Sequence, residues 1–63
     1  MSPKVTVLRA AQLIELHAEE LRRSHTLAGG AWGRDRDDQR AKADCEESTA
    51  IVAKLRLLAE VMV

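Results

Sequence analysis

The chain has 63 residues, with ten basic and ten acidic side chains, one cysteine and a single aromatic residue. A domain of this size builds only a marginal core. Cys45 alone excludes an intrachain disulfide and a zinc site of the usual cysteine and histidine spacing, which leaves self-association as the source of extra stability. Balanced charge removes the long-range field that draws proteins onto nucleic acid or anionic membranes, and a composition led by Ala, Leu, Glu and Arg with no Phe or Tyr favours helix over sheet.

Ser2 and Pro3 read as an N-cap and first-turn pair, although β-branched Val5, Thr6 and Val7 allow an extended start that Thr6 would cap instead. Helix 1 is therefore placed at about 5–28. Val7, Ala11, Ile14, Ala18, Leu21 and His25 recur at helical spacing and form its core face. Glu15, Glu19, Arg22 and Arg23 lie off that face, and Glu19 is placed for a surface ion pair with Arg23. Gly29 and Gly30 supply left-handed backbone to end the helix, and the glycine-rich turn 29–34 reverses the chain. Asp35 and Asp38 are candidate caps for helix 2, at about 35–62, whose best stripe is Ser48, Ile51, Leu55, Leu58 and Met62 with Val52 and Ala59 on its flank.

Folding back near residue 31 pairs positions whose numbers sum to roughly 62, so that Val7 meets Leu55 and Ala10 meets Val52. Alanines 10, 11, 18, 41 and 59 allow a close approach of the helices. The expected fold is all-α: residues 1–63 form a single two-helix antiparallel hairpin. No stretch is long and apolar enough to span a bilayer, and the N-terminal run is broken by Arg9 too early for a secretory signal, which places the protein in the cytoplasm.

One partner helix leaves much apolar surface uncovered. Helix 1 carries Leu13, Leu16 and Leu27 on a second face, and helix 2 carries Ala43, Ala50, Leu57 and Val61 at near-heptad spacing. Each exposed Leu or Val forgoes about 1.5–3 kcal/mol of burial, so a homodimeric four-helix bundle with Leu13, Leu16, Ala43, Ala50, Leu57 and Val61 at the interface is the expected assembly. An aspartate at Leu57 should disrupt it by burying an unpaired charge.

Candidate chemistry is sparse. His17 and His25 fall on or near the core face, within reach of Asp44 or Cys45 and of Asp37 or Asp38 respectively. They stand about 12 Å apart along the axis, too far to share an ion, so no metal is expected. Cys45 lies beside the core stripe, where it could meet its counterpart across a two-fold axis. The seam of helix 2 near the turn reads as polar, through Asp37, Arg40, Asp44 and Glu47, which makes the turn end the easier one to open. Trp32 stands in the turn, either as a binding hot spot or folded over Leu27 or Ala28 to close the bundle end. Arg34, Arg36 and Arg40 beside it can meet a partner's carboxylates or phosphates, although Asp35, Asp37 and Asp38 interleave with them.

No catalytic set and no cofactor site are present, and an enzyme is not expected. Trp32, Arg34, Arg36 and Arg40 are the candidate partner-binding residues. A neutral helical hairpin without motifs suits a small protein-interaction module, binding itself and a larger regulatory protein that it modulates by inhibition. In length and architecture the chain is similar to short helical proteins of bacteriophages and plasmids that bind and block host regulators, such as quorum-sensing anti-activators. The alternatives are a dimeric DNA-associated regulator, disfavoured by the absence of net charge, and a structural or assembly adaptor subunit.

Overall fold

In the computed structural model, which describes residues 1–63, two helices, α1 (Pro3–His25) and α2 (Arg36–Glu60), pack against each other as an antiparallel hairpin. Its extents are 44 × 18 × 15 Å. Neither helix is long and apolar enough to cross a membrane. α1 starts at Pro3, with the Ser2 hydroxyl accepting from the Val5 amide at 3.2 Å. The β-branched run does not delay it, because Thr6 donates both its amide and its hydroxyl to the Ser2 carbonyl, at 3.0 and 3.1 Å.

α1 ends earlier than its apolar periodicity suggests. Thr26 is extended and forms an isolated antiparallel bridge with Trp32, so strand-like pairing takes over from the helix before the glycines are reached. Gly29 and Gly30, at φ 93° and 90°, form the tip of this small turn and are not a helix cap. α2 has Asp35 at its N-cap position, but no side chain caps it; Asp38, the other expected cap, is turned across to His25.

The seam follows two heptad stripes. In α1 it comprises Val7, Ala11, Ile14, Ala18, Leu21 and His25, with Ala11 and Ala18 buried, as the periodicity predicts. In α2 it comprises Asp38, Ala41, Cys45, Ser48, Val52, Leu55, Ala59 and Met62. The expected stripe was centred differently. Val52 is only 4 % exposed, whereas Ile51 and Leu58 are 40 % and 51 % exposed and leave the seam for its edge. The helices approach closely enough that small side chains fill the contact, which rotates α2 to point Ala, Cys and Val inward and its larger residues outward. Cys45 is the largest fully buried side chain.

Register shifts with the rotation. Cys45 lies at 3.5 Å from the Ala18 carbonyl oxygen and His25 at 2.9 Å from Asp38, so level positions sum to 63 and Ala11, not Ala10, stands across from Val52. The turn half of the seam is not made polar by the residues expected there, and its polar pair is His25 with Asp38 at the very end. Ala41 and Cys45 are buried there, while Asp37, Arg40, Asp44 and Glu47 lie exposed.

Candidate functional site

The turn end is built by a chain of contacts that tie the connection to both helices. Leu27 donates to the Ala31 carbonyl at 2.6 Å, Gly30 to Leu27 at 3.0 Å and Gly33 to His25 at 2.9 Å. Thr26 adds its hydroxyl to the Arg22 carbonyl at 2.6 Å, closing the last turn of α1. From the other side the Gln39 side-chain amide donates to the Gly33 carbonyl at 2.7 Å. Gly33 is buried because the Asp38 carboxylate lies where its Cβ would be; only glycine fits beneath that carboxylate.

His25 Nδ1 and Asp38 Oδ1, 2.9 Å apart and partly buried, complete the clasp. Asp38 thus sits between a histidine and a glycine backbone, and serves the fold of the connection. Thr26, Gly33 and Gln39 were not singled out by sequence. Thr26 and Trp32 flanking a Leu-Ala-Gly-Gly-Ala tip carry the one usable signal, a β-branched and an aromatic residue on either side of a glycine turn.

Trp32 is partly buried, and Leu27 and Ala28 remain exposed, so the indole does not cover them. The bridge supplies the reason. Opposed residues of an antiparallel pair share a face, which places Trp32 with Thr26, while the next residue, Leu27, points to the opposite face. Arg34, Arg36 and Arg40 are exposed, and none forms an ion pair with the aspartates interleaved among them.

The other candidates disperse. His17 is exposed on a flank of α1 and does not approach Cys45, whose neighbours are the Ala18 carbonyl and, at 3.8 Å, the Arg22 guanidinium. Cys45 is sealed within the seam and faces α1, not outward toward another copy. No group of three or more His, Cys, Asp or Glu converges on one point. Arg23 pairs with Glu20 at 3.6 Å in place of Glu19, an exposed contact worth at most about 1 kcal/mol.

The two long edges of the seam differ. Along one, Glu15 and Arg56 bridge the helices at 2.9 Å, Arg22 covers Cys45, and a shallow groove is floored by Ala18 and Val52. The other edge has Ala10 and His17 of α1 facing Ile51 and Leu58 of α2 by heptad position, with Leu13 and Val61 next outward. The expected interface residues Leu13, Leu16, Ala43, Ala50, Leu57 and Val61 are all exposed. They do not form one surface. Leu16 of α1, and Ala43, Ala50 and Leu57 of α2, lie about 170° from the seam on the backs of their helices and face away from each other.

Compared with protein-family models, with curated proteins and with solved structures, the chain matches none. Its possible function therefore rests on what these surfaces can do.

Proposed function

We propose that this chain is a non-enzymatic, homodimeric protein-interaction module that binds a larger regulatory protein and inhibits it. The observation that carries the reading is the imbalance between core and surface. The buried side chains are alanines, one cysteine and one valine, whereas eleven large apolar residues, among them Leu13, Leu16, Ile51, Leu57, Leu58 and Val61, are exposed. Apolar surface in this amount on so thin a hairpin suits helix-to-helix association. The braced turn offers a second contact area, with Trp32 held by backbone pairing beside three unpaired guanidiniums, a combination common among interface hot spots. The three guanidiniums, alternating with exposed Asp35 and Asp37, suit a partner whose carboxylates are placed to meet them one by one.

Sedimentation of the purified chain over a concentration series tests the first half, and a dimer is expected. For the second half, captured extract proteins are compared between the native chain and Trp32→Ala. A regulator retained by the native chain and lost with the variant, and inhibited when the two are mixed, is the expected result. Equal capture by both would remove the turn from the reading.

A DNA-associated dimer is the second reading, favoured by the free state of Arg34, Arg36 and Arg40. It requires binding to duplex DNA that falls steeply with salt. No binding at low salt rejects it.

A further inference from the structure

Deepening the dimer reading, on which it rests, we infer that a second copy of this chain docks on one particular edge of the hairpin, the one bearing Ala10, Leu13, Ile51, Leu58 and Val61, with the two copies antiparallel. Area sets the need. The chain exposes 4894 Å². A compact monomer of its 7.0 kDa mass exposes about 4,000 Å². The excess is close to the roughly 800 Å² that each partner buries in a stable interface of standard size.

Geometry selects the edge. On the opposite edge the Glu15–Arg56 bridge and Arg22 set charged groups over the seam, and a second helix there would have to desolvate them. The backs of the helices offer only isolated stripes, Leu16 on one side and Leu57 on the other, each within reach of a single neighbour. At the chosen edge Ile51 and Leu58 rise directly beside the buried Val52 and Ala59, so apolar contact continues outward from the core along α2, with His17 of α1 the polar residue at its inner end. Leu13 from α1 and Val61 from α2 widen it, and both helices contribute to one surface.

Charge then selects the orientation. Ala10, Leu13, Ile51, Leu58 and Val61 hold the terminal half of this edge with Lys54 among them, while Glu20, Asp37, Asp44 and Glu47 outnumber Arg40 in its turn half. Parallel copies would set these carboxylates against their own counterparts. Antiparallel copies cover the apolar halves with each other and let the acidic halves extend beyond the contact. The two Trp32 turns then stand at opposite ends of the dimer.

Sedimentation equilibrium of the full chain tests the edge, using alanine substitutions that preserve helix propensity and so leave the hairpin folded. Ile51→Ala and Leu58→Ala should each raise the dimer dissociation constant by about tenfold or more, because every dimer loses the side chain twice. Leu16→Ala and Leu57→Ala should change it by less than about threefold. The reverse pattern would overturn the edge while leaving the dimer standing. A native chain that stays monomeric at every concentration would overturn the dimer itself. Orientation is read from spin labels on Ala31→Cys in a Cys45→Ala background. A separation beyond the 44 Å length of one hairpin is expected, and one of about 10–20 Å would overturn the antiparallel arrangement.

Discussion

Asp38 is the residue on which the turn depends, because two constraints meet at its carboxylate and a third begins at the next residue. It accepts from or pairs with His25, occupies the space beneath which only Gly33 fits, and sits one residue before the glutamine that holds the Gly33 carbonyl. Gly33→Ala should therefore lower stability by about 1–2 kcal/mol by driving the carboxylate off His25. In an Asp38→Ala background the same change should cost little, a non-additivity that a double-mutant cycle of thermal unfolding measures directly. Cys45 allows a second check at this scale. Its thiol is buried between the Ala18 carbonyl and the Arg22 guanidinium, so it should react with a thiol reagent only through opening of the hairpin and form no disulfide-linked dimer in air. Rapid labelling under native conditions would show that the seam opens locally at that level.

Between the helices, size has overruled hydrophobicity. Counting apolar residues alone favours a stripe through Ile51 and Leu58, since these are the strongest hydrophobes on that side of α2. The packed seam uses Ala41, Cys45, Val52 and Ala59 against Ala11 and Ala18, because small side chains let two helices touch along their length. Enlarging a contact should accordingly be worse than trimming an edge. Ala18→Leu is expected to cost about 1–3 kcal/mol in denaturant unfolding through overpacking, with much of the helix signal retained until the transition. α1 was easier to read than α2 because Ile14 and Leu21 fall on the same stripe as Ala11 and Ala18, whereas in α2 Ile51 and Leu58 stand one position away from the buried Val52 and Ala59. The end of α1 was misplaced for a different reason: Thr26 and Leu27 continue the helical pattern, and only pairing of Thr26 with Trp32 removes them from it.

As a whole molecule the hairpin is long and thin, and its stability should depend on its concentration. If a second copy covers the Ile51 and Leu58 edge, the midpoint of thermal unfolding will rise with protein concentration by mass action. A midpoint independent of concentration over two or three decades would argue for a monomer whose edge is kept for another protein. Composition and 3.6-residue periodicity were sufficient by themselves to determine two helices, their antiparallel return and the face of α1, because these follow from local preferences. Which residues of α2 turn inward, how the connection is clasped and which edge remains apolar were decided only by the tertiary structure. Those outcomes depend on the distance between two helices and on contacts such as His25 with Asp38, and a one-dimensional pattern carries neither.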